Sequence, residues 1–261
     1  MKFSRAPKKS LGQHWLHDES ALYEIVRSAQ LKANDTVLEI GPGLGTLTEL
    51  LVKAAGQVIA VELDEKLARE LPSRVRTDNL ETVSQDILQF DFTKLPPNYK
   101  IVANIPYYLT GKLLRQLSET ANPPSRAILL IQKEVAERVT ATPGRHSILS
   151  VTTQFFWEAE LGQVIPAKSF TPPPKVDSQI LILARRAGPL YGDVEPELFF
   201  RIVKAGFAHP RKTLLNNLSA GLHQGRDDAQ SICERASLDS RRRAQTLSLD
   251  EWHNLYNALH T

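Results

Sequence analysis

The 261-residue sequence predicts an α/β fold: a doubly wound parallel sheet with an antiparallel edge hairpin, followed by a small all-helical domain. Three observations carry this reading. Short β-rich runs alternate with amphipathic helical stretches through the first two thirds, the pattern of βαβ units under a sheet covered on both faces. A turn with three glycines joins the first of these runs to the helix after it. At Arg186-Ala-Gly-Pro-Leu-Tyr-Gly192, Gly-Pro punctuation marks a linker, and the periodicity beyond it is helical. At 42% hydrophobic and 23% charged residues, the chain has the composition of a folded globular protein.

In chain order, strands are expected over 36–40, 57–61, 80–84, 99–103 and 127–131, with helices over 46–55, 65–73 and 110–120 between them. The segments 159–165 and 176–184 have no helical stretch between them and predict a hairpin at one sheet edge. Pro172, Pro173 and Pro174 stiffen the approach to its second strand in an extended form. Past the linker, helices are expected over 195–207, 212–222, 227–236 and 248–259, the last opened by the capping box Ser248-Leu-Asp-Glu251. This divides the chain into domains at 1–187 and 188–261.

Several function classes fall away. Cys233 is the only cysteine, so no intramolecular disulfide and no cysteine zinc site is available, and a small buried residue is its expected role. No apolar run reaches the ~18 residues of a membrane span. The opening MKFSRAPKKSLGQ lacks the apolar core of a secretory signal, which leaves a cytoplasmic address. The net charge is only +3, but it is unevenly placed. Lys2, Arg5, Lys8 and Lys9 stand near the start without an acid, and Arg201, Lys204, Arg211, Lys212, Arg226, Arg235 and Arg241-Arg242-Arg243 crowd the last third. Such charge suits nucleic-acid phosphates, and a pair of solvated basic faces is the plainer alternative.

The glycine turn is more specific. In Val37-Leu-Glu-Ile-Gly-Pro-Gly-Leu-Gly-Thr46, Gly41, Gly43 and Gly45 let the backbone turn sharply and leave room for a ligand. A dinucleotide fingerprint requires a sixth-position glycine, where this chain has Thr46. Glu39, two residues before Gly41, would repel a pyrophosphate and suits a ligand carrying an ammonium. S-adenosylmethionine has an ammonium and a sulfonium but no phosphate, so the turn favours a methyltransferase over an NAD enzyme. Glu62 ends the second strand at the spacing where a carboxylate takes ribose hydroxyls. Asp86 follows the third strand and can accept from an adenine amine, with Leu63 and Ile87 sandwiching the base. Taken singly, each acid reads equally as a helix cap or a solubilising strand end, and the glycines as a bare connection.

With these residues in view, the chain resembles the adenine dimethyltransferases of ribosomal RNA over nearly its whole length. This family has a small-subunit branch, called KsgA in bacteria, and the Erm resistance branch. Lys9-Ser-Leu-Gly-Gln-His-Trp-Leu16 is similar to its first motif, with Trp15 in place of the usual Phe. Leu38–Gly45, Val61-Glu-Leu-Asp64, Gln85-Asp86, Asn104-Ile-Pro-Tyr107 and Phe170-Thr-Pro-Pro-Pro-Lys-Val-Asp-Ser178 follow in the family's order. The resemblance implies a Rossmann-like methyltransferase sheet and S-adenosylmethionine as donor. It places Gln13, His14, Leu16, Gly41, Glu62, Asp86 and Asn104 in the donor site. Phe207-Ala-His-Pro-Arg-Lys-Thr-Leu-Leu-Asn-Asn-Leu218 resembles the small-subunit branch, whereas Ile105, where that branch normally has Leu, leans toward Erm.

Asn104-Ile-Pro-Tyr107 also has a chemical reading. An adenine amine is a poor nucleophile because its lone pair is delocalised into the ring. The Asn104 oxygen and the Ile105 carbonyl can each accept one N–H and hold the nitrogen pyramidal. Pro106 fixes the backbone that aims the carbonyl, and Tyr107 offers a face for a base flipped out of RNA. Phe170 is the expected opposite face, with a core aromatic beside the hairpin as the alternative. The chemistry needs neither a general base nor a metal. Lys8, Lys9, Arg211 and Lys212 are the expected phosphate contacts. The expected activity is N6,N6-dimethylation of two adjacent adenosines near the 3′ end of 16S ribosomal RNA, by a monomer acting on the small subunit. An Erm-type enzyme of large-subunit RNA and a non-catalytic RNA-binding factor on the same fold are the competing readings.

Overall fold

The computed structural model of the chain describes residues 7, 8 and 11–260; Lys2, Arg5 and Lys9 lie outside the described residues. Its elements run β1 (Trp15–Leu16), α1 (Glu19–Ala29), β2 (Thr36–Ile40), α2 (Thr48–Ala54), β3 (Gln57–Glu62), α3 (Glu65–Val75), β4 (Leu80–Ser84), β5 (Lys100–Asn104) and α4 (Thr110–Glu119). Then follow β6 (Arg126–Gln132), α5 (Lys133–Val139), α6 (Ile148–Phe156), β7 (Trp157–Ile165), β8 (Phe170–Thr171) and β9 (Ser178–Arg185). The chain closes with α7 (Pro196–Gly206), α8 (Leu214–Gly221), α9 (Arg226–Arg235) and α10 (Leu249–His260). No helix among the described residues is long and apolar enough to cross a membrane.

The seven-stranded sheet has the order β4-β3-β2-β5-β6-β9-β7. All its pairings from β4 to β6 are parallel, and β9 runs antiparallel to β6. The run from β2 through β3 to β4 builds outward on one side, and the chain then returns to place β5 on the other side of β2. That reversal makes a topological switch point between β2 and β5, where open α/β sheets form ligand crevices at the carboxyl ends of their strands. The central strands are apolar almost throughout because both of their faces are covered. Val37, Leu38, Ile101, Val102, Ile128 and Leu130 are all buried. The two residues of β8 leave the edge pair β7 and β9 to meet β1, with Trp15 opposite Thr171 and Leu16 opposite Phe170. The Thr171–Pro172 peptide is cis.

The chain divides into two compact units. One holds the chain through Ala136 together with Glu158–Arg185; the other holds Glu137–Trp157 and the chain from Arg186 onward. A single cut at 187/188 therefore misplaces 137–157. The reason lies in α6, whose Val151 and Phe155 belong to the helical unit's core, with Phe155 stacked on Phe199 at 4.9 Å between ring centroids. Ser147 and Ser150 begin that helix with a reciprocal capping box. In the helical unit Cys233 is buried in the same core, and burial pushes its thiol up to about 11. Ser248 and Glu251 exchange the expected capping bonds: the Glu251 N–H donates to the serine hydroxyl at 3.1 Å, and the Ser248 N–H donates to the carboxylate at 2.8 Å. Two of the three consecutive arginines are engaged within the unit, Arg242 by Glu251 and Arg241 by Asp239.

Candidate active site

The loop after β2 and the loop after β5 face each other across the switch point and line one cleft. Gly41 and Gly43 have φ of +70° and +58°, a region that L side chains rarely occupy. A Cβ on Gly43 would also sit 2.6 Å from the Trp15 ring, so this glycine is required twice over. At Gly41 the nearest heavy atom to such a Cβ is the Asn104 carbonyl oxygen, which shows how closely the two loops approach.

Glu39 lies within β2 and is 1% exposed, and its Oε2 has no hydrogen-bond partner among the described residues. Burial, with a smaller push from Glu62, drives its carboxyl up to about 8. Burial of this kind favours the neutral carboxyl over the ionised one, and a cation beside it would favour the ionised form. Glu62, at the end of β3, accepts the Gly43 N–H at 3.1 Å and the Asp64 N–H at 2.9 Å. Burial raises its pKa, and these two bonds oppose the rise. Asp86 caps the turn after β4 by accepting the Leu88 N–H at 3.0 Å. Leu63 is 47% exposed and Ile87 is buried, and both border the cleft, giving it an apolar flank beside the acids.

The segment before α1 supplies another wall, with Gln13, His14 and Leu16 all lining the cleft. His14 connects three parts of the site. Its ring stacks on Tyr107 with centroids 6.1 Å apart, and its Nδ1 lies 2.7 Å from the Pro172 carbonyl oxygen. Its own carbonyl accepts the Asn104 Nδ2–H at 3.3 Å. That bond orients the Asn104 amide and leaves Oδ1 without a partner among the described residues. The Ile105 side chain is buried, so what the residue can offer the cleft is backbone, and Pro106 follows at φ −55°. The Tyr107 hydroxyl shares a hydrogen bond of 2.9 Å with Ser178, and burial raises its pKa.

Two expectations need correction. Phe170 borders the cleft but is only 2% exposed and belongs to the core with Leu16 and Leu22. The β1–β8 pairing draws it inward, so in this arrangement it does not present a free stacking face. Lys8 is not a free cation either. Its Nζ meets Asp64 at 2.8 Å and its N–H donates to Gln13 Oε1 at 2.8 Å, which fastens the N-terminal segment to the loop after β3. Lys9 lies outside the described residues. Arg211 and Lys212 are exposed in the turn before α8 of the helical unit. Asn217, 1% exposed, holds that turn: it donates to the Gly206 and His209 carbonyls at 2.7 and 3.1 Å and accepts the His209 N–H at 3.2 Å. Sequence reasoning did not single it out, although an asparagine inside an apolar helical stretch is a signal that could have marked it. The links through His14, Trp15 and Asp64 left no local signal.

The family model described as "Ribosomal RNA adenine dimethylase" matches residues 5–260. The "Ribosomal RNA small subunit methyltransferase A" of Dehalococcoides mccartyi is 41% identical over 252 residues, covering 95% of this chain and 87% of its own. The protein of the same name from Streptococcus sanguinis is 37% identical over 265 residues, covering 97% and 91%. Among solved structures, the 23S rRNA methyltransferase ErmE has a TM-score of 0.78 at 29% identity, covering 95% of this chain and 100% of its own. A dimethyladenosine transferase from Plasmodium falciparum has a TM-score of 0.80 at 25% identity, covering 93% and 96%. By its sequence and by the cleft that the sequence builds, the chain belongs to the ribosomal RNA adenine dimethylase family.

Proposed function

We propose that the protein transfers methyl groups from S-adenosylmethionine to the exocyclic amines of two adjacent adenosines near the 3′ end of 16S ribosomal RNA during small-subunit assembly. One observation carries the reading. A single cleft holds both a buried carboxyl with an unpartnered oxygen, Glu39, and an amide whose oxygen is left open, Asn104. The first suits the ammonium of a methyl donor and the second the amine of an acceptor.

The donor set fits S-adenosylmethionine, which when bound supplies an electrophilic methyl on a sulfonium. Glu39 Oε2 would hold the ammonium, Glu62 the ribose hydroxyls and Asp86 the adenine amine, with Leu63 and Ile87 against the base. Gln13, His14, Leu16, Gly41 and Gly43 would complete the walls. On the acceptor side, Asn104 Oδ1 and the Ile105 carbonyl each accept one N–H of the target amine. Two acceptors placed off the ring plane pull the nitrogen away from conjugation and free its lone pair. The His14 carbonyl keeps the oxygen end of Asn104 turned to the substrate, so the clamp is set before RNA arrives. Tyr107 carries the flipped base, steadied by His14 and Ser178. Once methylated, the amine is acidic enough to lose its proton to water. Arg211 and Lys212 contact phosphates of the RNA, which position without reading sequence.

The small-subunit substrate is supported by the relatives' name and by the 207–218 segment. Ile105 and the likeness to ErmE favour a second reading, methylation of large-subunit RNA. The deciding experiment offers labelled S-adenosylmethionine with immature small subunits and, separately, with large subunits. Label in the small-subunit RNA alone is expected. Label confined to the large subunit would overturn the branch, and no label in either would point to a non-catalytic RNA-binding role.

A further inference from the structure

The mechanism above leaves one residue of the central motif without work. Tyr108 follows Tyr107 directly, yet the two rings are placed differently. Tyr107 is half-buried between His14 and Ser178, whereas Tyr108 is 60% exposed at the mouth of the same cleft. Its hydroxyl has no hydrogen-bond partner among the described residues. Gly12 of the N-terminal segment lies beside one edge of the ring: a Cβ placed on it would be 3.6 and 3.7 Å from Cε1 and Cδ1 of Tyr108, and 3.5 Å from the Pro106 Cβ. The greater part of the ring stands open to solvent. One helical turn further on, Lys112 is exposed, lines the same cleft and has no ion-pair partner among the described residues.

A large aromatic that is mostly bare and borders the cleft gives little to packing and is placed to meet what enters it. Flipping a nucleotide into the cleft strips its neighbour of a stacking partner, and that exposed base face must be covered or left in water. An aromatic ring with an ammonium one turn away offers what a nucleotide presents: a flat base and a phosphate. We propose that Tyr108 and Lys112 form a second nucleotide subsite, in which the tyrosine stacks on the base adjacent to the target adenine and the lysine meets its phosphate. The proposal rests on the reading of the protein as an RNA adenine methyltransferase. Under that reading, the subsite tethers the RNA strand at the cleft mouth while the target base is inside.

The test uses the full chain with immature small subunits for kinetics, and with a short single-stranded RNA carrying 2-aminopurine beside the target adenosine for binding. Tyr108→Ala is expected to raise KM for RNA about tenfold, within the range of base–aromatic stacking, with kcat at saturating RNA and donor affinity changed by less than about twofold. Tyr108→Phe and Tyr108→Trp are expected to restore KM. Quenching of 2-aminopurine is expected with the wild type, Phe and Trp variants and to be absent with Ala. Lys112→Ala is expected to flatten the salt dependence of RNA binding by roughly one phosphate contact. An unchanged KM in Tyr108→Ala overturns the subsite, as does a Phe variant as impaired as Ala, because the hydroxyl would then matter and not the ring. The fluorescence arm needs no methyl transfer, so failure of the subsite is read separately from failure of the enzymatic assignment.

Discussion

Asn104 uses its two amide atoms for different purposes: the nitrogen end is tied to the His14 carbonyl, and the oxygen end is offered to the cleft. Asn104→Ala is therefore expected to lower methyl transfer by about 100-fold, the scale of losing one transition-state hydrogen-bonding group. Donor affinity, measured by calorimetry, is expected to change less than about threefold. Glu39 makes a prediction in pH. Its carboxyl titrates near 8 in the folded protein against a usual 4.5, so the folded state holds a proton that the unfolded chain releases. This group makes the unliganded protein lose stability as pH rises between those values, and an ammonium ligand reverses the preference by favouring the ionised form. Donor affinity is thus expected to rise from about pH 6 to about 7.5, below the range where an α-amino group loses its own proton. Proton release should accompany binding. Glu39→Gln should flatten the profile, and calorimetry in buffers of different ionisation enthalpy reads both effects.

At the scale of elements, the local pattern announced β2, β3, β5 and β6 within a residue or two, because buried parallel strands are continuous apolar runs, and it announced the edge strand β4 by its β-rich Leu80-Glu-Thr-Val-Ser84. It announced α3, α4 and α7 to α10 because each has one apolar stripe. It was silent on β1 and β8, two-residue strands that exist only by pairing with each other across most of the unit. It was silent on α6 because Ile148-Leu-Ser-Val-Thr-Thr-Gln-Phe-Phe156 is rich in β-branched and aromatic residues of modest helix propensity, and the helix is stabilised by its core contacts. The site divides in the same way. Glu39, Glu62 and Asp86 were legible because each ends or precedes a strand-to-loop transition, whereas the burial of Phe170 and the ion pair of Lys8 depend on contacts distant in sequence. The turn that carries Arg211 and Lys212 rests on Asn217. Asn217→Ala leaves the buried Gly206 carbonyl and the less buried His209 carbonyl without this partner and is expected to destabilise the helical unit by about 2 kcal/mol, read by chemical denaturation. Gly43→Ala should weaken donor binding by at least about tenfold, because the added Cβ meets the Trp15 ring in a backbone conformation already unfavourable for alanine.

For the whole molecule, a net charge of +3 understates the capacity for RNA, since the pairing of Arg241, Arg242 and Lys8 with acids leaves Arg211 and Lys212 among the exposed cations. RNA affinity is expected to fall linearly on logarithmic axes with salt, by about 0.7 per phosphate contacted for single-stranded RNA. Arg211→Ala with Lys212→Ala should reduce that slope, and an unaltered slope would remove the helical unit from the RNA grip. Lys8 and residues 11–16 are fastened by a two-residue strand, a histidine carbonyl and a lysine, and residues 11–16 form a side of the ligand cleft. Anyone shortening the chain to a tidy globular core would discard them as a tail. The trimmed protein would fold its sheet and still have lost the hinge side of its own doorway, so affinity tags and deletions belong elsewhere on this molecule.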